Sequence, residues 1–171
     1  MDNKHYACYL KLDDVVGSYK MGENEELVGG IKGWGWNAYV ENSIEDTITK
    51  IAQAGSFFKS TPKSGFLTLV KSHDIDSAIL STVSLNAEPK DKGVLFVYGP
   101  GKAGEEPLFL TVTMEGVYVK KVENNFSGTQ GKTDTFTFTF RNIIFEYKNY
   151  DGKEGDKGAN EANWKAEFDA R

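Results

Sequence analysis

His5, His73 and Cys8 are the only imidazole and thiol side chains in 171 residues. An ordinary structural zinc site takes four Cys or His ligands, so these three cannot make one. Serine nucleophiles of the hydrolase type sit in a Gly-x-Ser-x-Gly turn, and no such turn occurs. Tyr98–Gly104 is rich in glycine, but it lacks the phosphate-loop spacing and has no Ser or Thr after Lys102. It reads as a hairpin turn. Asp74 and Asp76 could face a divalent ion, yet they stand where a helix begins, and a carboxylate there caps backbone N–H groups. Asp151, Glu154 and Asp156 lack the ligand pattern of a calcium loop. Glu23, Glu25 and Glu26, like Glu105 and Glu106, read as solvated charge. No catalytic residue, metal site or cofactor is expected.

The elements around these residues point to strands. Aromatic residues make up 13% of the chain, and 18 glycines stand against 4 prolines. Aromatic and β-branched side chains suit a pleated, half-buried surface, and glycine supplies its turns and bends. Tyr6, Cys8, Leu10 and Leu12 alternate along a first strand, so Cys8 reads as a packed position. Asp13–Leu27 reads as a surface loop. A second strand spans Val28–Val40, with Trp34, Trp36, Ala38 and Val40 opposite Gly33 and Gly35. Glycines facing tryptophans across a strand indicate a sharp bend or a close approach by another backbone.

Glu41–Ser64 is a long irregular stretch holding Ile44, Ile48, Ile51, Phe57 and Phe58, which is too apolar for a disordered segment. Phe66–Lys71 forms a third strand. A short helix follows from Asp74 to about Leu85, with Ile75, Ile79, Leu80 and Val83 as its apolar face. Val94–Tyr98 is apolar on both faces. The next strand carries Leu108, Leu110, Val112 and Met114 on one parity and Val117 and Val119 on the other. The last long strand likewise moves from Phe136, Phe138 and Phe140 to Ile143, Phe145 and Tyr147. A one-residue slip exchanges the faces of a strand, so two switches of this kind imply bulges or a shared corner, as a closing barrel needs. The predicted fold is mainly β: two packed antiparallel sheets forming a β-barrel, with one short α-helix and a long extended loop. A single domain over 1–171 is expected, with 151–171 as a charged C-terminal extension that includes Trp164 and Phe168.

A net charge of −5 gives no basic face for nucleic acid. No stretch reaches the ~18 apolar residues of a membrane helix, and no signal peptide is visible, so a cytoplasmic start without membrane insertion is expected.

Lys71, Asp74, Ser77 and Leu80, directly after a strand, resemble a motif of the Hcp family, the inner-tube proteins of type VI secretion systems. Ala78 stands where that family usually has proline. Phe138–Tyr147 is similar to the family's aromatic last strand, with Phe145 in place of a frequent tryptophan, and Trp164 is similar to a tryptophan often found near the C-terminus. The resemblance implies a barrel flanked by the helix, six subunits in a ring, and rings stacked into a tube. It implies a contractile sheath, a spike, a baseplate and secreted effectors as partners, and export from the bacterial cytoplasm without a signal peptide. A ring and a tube need head-to-tail contacts between different surfaces of one chain. Ile48, Ile51, Phe57, Phe58, Lys59 and Trp164 are the candidate assembly contacts; the equal alternative is that the Glu41–Ser64 stretch covers its own barrel. Thr135, Thr137 and Thr139 are candidates for a wall facing the lumen or a neighbouring subunit. The nearest competing reading is a tail-tube protein of a contractile phage-like particle. A lipocalin-like ligand-binding barrel and a barrel hydrolase follow behind it.

Overall fold

The computed structural model describes residues 6–39, 64–99, 107–129, 131–147 and 162–167. In chain order the elements are β1 (Ala7–Leu12), β2 (Tyr19–Met21), β3 (Asn24–Leu27), β4 (Ile31–Tyr39), β5 (Ser64–Ser72), α1 (Ile75–Leu85), β6 (Lys90–Tyr98), β7 (Leu108–Ser127), β8 (Gly131–Thr139), β9 (Asn142–Tyr147) and β10 (Ala162–Glu167). Every ladder is antiparallel. The main sheet runs β1-β6-β7-β8-β5-β4, with β9 also on β7 and β10 on β9, while β2 and β3 make a small second sheet. The mainly β prediction with one helix therefore holds for the described residues. The β1-to-β4 path has two ends, and one antiparallel bridge, Leu10 to Val28, ties β1 to the segment that leads into β4.

The phase switches have a common cause. Gly116 takes a φ of +62° in the middle of β7, a conformation that favours glycine. At the same level β8 gives way to β9 through Phe140–Arg141, and the Arg141 N–H donates to the Glu115 carbonyl at 2.9 Å. Below that level Val119 pairs with Phe138, and above it Met114 pairs with Ile143. All four are buried. Both strands turn over together, so paired side chains stay on one face while each chain changes parity. A second register shift lies between Val119 and Lys121. There the extra residue further twists the hairpin.

The core is one contiguous apolar cluster with Leu10, Leu67, Leu69, Leu80, Leu95, Val112, Met114, Phe136, Phe138 and Ile143 at its centre. Trp36 of β4 packs tilted against Phe145 of β9 with ring centroids 5.1 Å apart, bringing the β4 end of the path against the β9 branch.

Several sequence expectations need correction. Asp13–Leu27 is not a plain loop, because Tyr19–Met21 and Asn24–Leu27 pair as a hairpin around Gly22 at φ +60°. The second strand begins at Ile31, and Val28 makes only the isolated bridge. The helix buries Leu80 and Val83 but leaves Ile75 69% exposed. Ile75 is the first residue after the cap, and the capping geometry turns Asp76 and Ser77 inward in its place. Cys8 is half-buried. The tail contributes a strand, β10, whose Trp164 stands opposite Phe145 in register. Apolar alternation there was too sparse to signal a strand.

Candidate functional site

Lys71 ends the inward row of β5 after Leu67 and Leu69, and its side chain is fully buried. A lone buried ammonium is strongly unfavourable, so its three protons must find acceptors. They do: Lys71 Nζ donates to Asp74 Oδ1, to Ser77 Oγ at 3.0 Å and to the Ser72 carbonyl at 2.8 Å. Asp74 is also the N-cap of α1. Its Oδ1 accepts from the backbone N–H of Asp76 at 3.0 Å and of Ser77 at 3.2 Å, while Ser77 Oγ accepts from the Asp74 N–H at 3.2 Å. This reciprocal capping box satisfies helix donors that otherwise have no partner. One cation thus ties the end of β5 to the start of α1. The four motif positions Lys71, Asp74, Ser77 and Leu80 come together as this joint, with Leu80 one turn on in the core.

Asp76, also fully buried, faces the other way. Its carboxylate accepts from the Ser18 N–H at 3.0 Å, the Ser18 hydroxyl at 3.0 Å and the Gly29 N–H at 3.4 Å. These bonds pin both roots of the β2–β3 hairpin to the helix. Gly29 is required there, since a Cβ would lie 2.5 Å from the Tyr19 ring. Asp134, 1% exposed, takes His73 Nδ1 at 2.8 Å, so the histidine serves the same corner. Sequence reading singled out Asp74 and Asp76 for capping, and the geometry divides that role: Asp74 caps, Asp76 anchors the hairpin. Asp134 was missed, because an aspartate inside a Thr-Phe strand gives no sign of a partner 61 residues away. The groups of this network are consumed by holding β5, α1, β8 and the hairpin together.

Cys8 is not an activated thiol. Burial pushes its pKa up, and a hydrogen bond with the Trp34 side chain draws it partly back. Glu88 lies below the usual carboxylate range through its hydrogen bond from Asn86 and the adjacent Lys90. It is a surface group beside the start of β6.

The second feature is the outer face of the sheet. Thr135, Thr137 and Thr139 alternate with the buried Asp134, Phe136 and Phe138, and all three are half-buried on the side away from the core. Pairing aligns them in rows: Gly33, Val70, Thr135 and Glu123; Gly35, Thr68, Thr137 and Lys121; Asn37, Phe66, Thr139 and Tyr118. Lys121 and Glu123 pair at 2.9 Å, and Lys120 Nζ stands 4.9 Å over the Phe66 ring. Small and uncharged side chains make the centre of this face shallow. Ile48, Ile51, Phe57, Phe58 and Lys59 lie outside the described residues, and of Trp164 only its backbone register is described.

The family model described as "Type VI secretion system effector, Hcp" matches residues 9–147. The chain belongs to the Hcp family. Hcp proteins are type VI secretion tube proteins, a structural family and not an enzyme family. Solved structures give the same fold. Hcp1 from Salmonella typhimurium superposes with a TM-score of 0.67 at 15% identity, covering 95% of this chain and 94% of that one. A structure titled a type six secretion system protein reaches 0.67 at 20% identity, covering 94% and 95%. Secreted protein Hcp3 from Pseudomonas aeruginosa reaches 0.59 at 11% identity, covering 96% and 98%. No curated protein matches the chain. Among the described residues no helix is long and apolar enough to cross a membrane.

Proposed function

We propose that this chain is a single-domain structural subunit of a type VI inner tube, forming hexameric rings that stack and carry or chaperone effectors. The match over residues 9–147 carries this reading. The geometry supports it in two ways. Asp74 and Asp76, which sequence reading weighed as a divalent-ion pair, are engaged inside the fold, and a broad shallow sheet face is left without a covering element among the described residues. The Leu10–Val28 bridge supports a barrel-type wall, since it ties β1 to the segment that leads into β4, the other end of the path. Thr135, Thr137 and Thr139 are proposed to face the lumen or a neighbouring subunit. Ile48, Ile51, Phe57, Phe58, Lys59 and Trp164 are proposed as further assembly contacts. Sheath, spike and baseplate proteins are the proposed partners of the assembled tube, which is exported from the bacterial cytoplasm. Negative-stain electron microscopy of the purified chain tests the proposal. Rings with a central hole, or tubes, are expected; a strict monomer at high concentration refutes it.

A further inference from the structure

Strands β9 and β10 form an antiparallel pair with Tyr147 opposite Ala162, so the chain could pass from one to the other through a tight turn. About two to five residues serve in most hairpins. Two join β2 to β3, and three join β7 to β8. Fourteen residues, 148–161, join β9 to β10. They include three glycines, seven charged residues and a single large apolar side chain, Tyr150. Loop closure costs more as a loop lengthens, so this connection favours β10 at its own β9 less than a turn would. Fully extended it spans about 50 Å, against about 30 Å for the diameter of a small domain.

The residues of β10 are also poorly suited to forming a strand unaided. Ala162, Asn163, Lys165, Ala166 and Glu167 are all of types depleted from strands, and Trp164 alone favours one. In contrast, β9 carries Ile143, Ile144, Phe145 and Tyr147. An open edge on such a strand is a pairing hazard, and β10 covers it. Any copy of β10 covers it equally well, because the ladder is the same whichever subunit supplies the strand. Among the described residues β10 pairs only with β9, so no other strand has to move with it. Exchange of an identical element between subunits is a low-cost route to assembly. A chain that gives β10 at one surface and receives it at another makes the head-to-tail contact a ring needs. The two placements of Trp164, opposite Phe145 in register and at a subunit contact, then become one. We propose that in the assembled ring β10 of each subunit pairs with β9 of the next. This rests on the self-assembly reading above and names the surface that Trp164 uses.

The test puts one cysteine on each side of the ladder. Ile144 and Lys165 are register partners, and directly opposite Cβ atoms lie about 4.5–5.5 Å apart, within reach of a short bismaleimide. In full chains that carry Cys8→Ala, one pool has Ile144→Cys and the other Lys165→Cys. The pools are mixed unfolded, refolded together and allowed to assemble before crosslinking and denaturing electrophoresis. Rings are expected to give a covalent dimer, and chains carrying both substitutions a ladder of multimers. Pairing within one chain gives neither. A second variant replaces residues 148–161 by Asn-Gly, which fixes β10 on its own β9. Its monomer stays folded by thermal melting, and its concentration for half-assembly, read by sedimentation velocity, rises about tenfold or more. Wild type that forms rings while the mixed pools stay uncrosslinked, and the double variant crosslinks only within its own chain, overturns this inference and leaves the tube reading standing. A short-loop variant that assembles like wild type does the same. Wild type that stays monomeric overturns both. If the short-loop variant fails to fold, the crosslinks decide alone.

Discussion

Replacing Lys71 by methionine tests whether the β5–α1 joint holds the fold together. Methionine keeps most of the apolar stem and removes the ammonium. Three acceptors lose a donor, yet none is orphaned. Asp74 keeps the Asp76 and Ser77 N–H groups, Ser77 Oγ keeps the Asp74 N–H, and the Ser72 carbonyl keeps the Ser77 hydroxyl at 3.4 Å. A hydrogen bond to a charged group contributes about 1.5–3 kcal/mol. Breaking a buried pair outright costs about 3–5 kcal/mol, from which the saved desolvation of the ammonium must be subtracted. The expected loss for Lys71→Met is therefore about 2 kcal/mol. For a chain of this size that lowers the melting midpoint by about 4–8 °C. Lys71→Ala additionally removes three methylenes at about 0.8 kcal/mol each, and a cavity opens beside Leu69 and Leu80. It should lose about 4–5 kcal/mol. Guanidinium titrations of the monomer, followed by tryptophan fluorescence, measure both. A Lys71→Met variant within about 0.5 kcal/mol of wild type would refute the reasoning, as would equal losses for methionine and alanine.

Two more outcomes follow from the same geometry. Gly116→Ala should destabilise by about 1–2 kcal/mol, because alanine at a φ of +62° is strained and its Cβ would lie 2.3 Å from Arg141 Nε; a denaturant midpoint equal to wild type contradicts a glycine-dependent corner. The Cys8 thiol is held above its ordinary range, so the folded state prefers it protonated. Its contribution is present below the unfolded thiol pKa and is lost as pH rises through and beyond it. Stability measured in alkaline buffers should therefore fall more for wild type than for Cys8→Ala, and alkylation of Cys8 at neutral pH should be slow unless the chain is unfolded. Equal alkaline slopes would show that burial at β1 does not disfavour the thiolate.

Local pattern carried a great deal of the fold. The alternation of Leu67 with Leu69 and of Phe136 with Phe138 marks strands because side chains alternate across a pleat, and the change of parity at Gly116 and Asn142 marks the corner because only a slip exchanges faces. Asp74 as the cap of α1 was readable for a similar reason: capping acts over three residues and leaves a local trace. The β2–β3 hairpin escaped notice because its strands of three and four residues are too short for periodicity. Strand β10 escaped because its stability comes from pairing with β9.

The sequence alone determined a mainly β chain with one helix, the corner in its two long strands, and the resemblance to the Hcp family. Only the tertiary structure decided which polar groups share a site. Lys71, Asp74 and Ser77 are near in sequence, but Asp76 meets Ser18 across 58 positions and Asp134 meets His73 across 61. Such meetings follow from strand order, which local alternation does not specify. The same holds for Gly33 and Gly35. Their presence in a strand was visible from the start. That the ladder shifts register just before Gly33, and that no described atom fills the space beside either glycine, became known only once the neighbouring strands were in place.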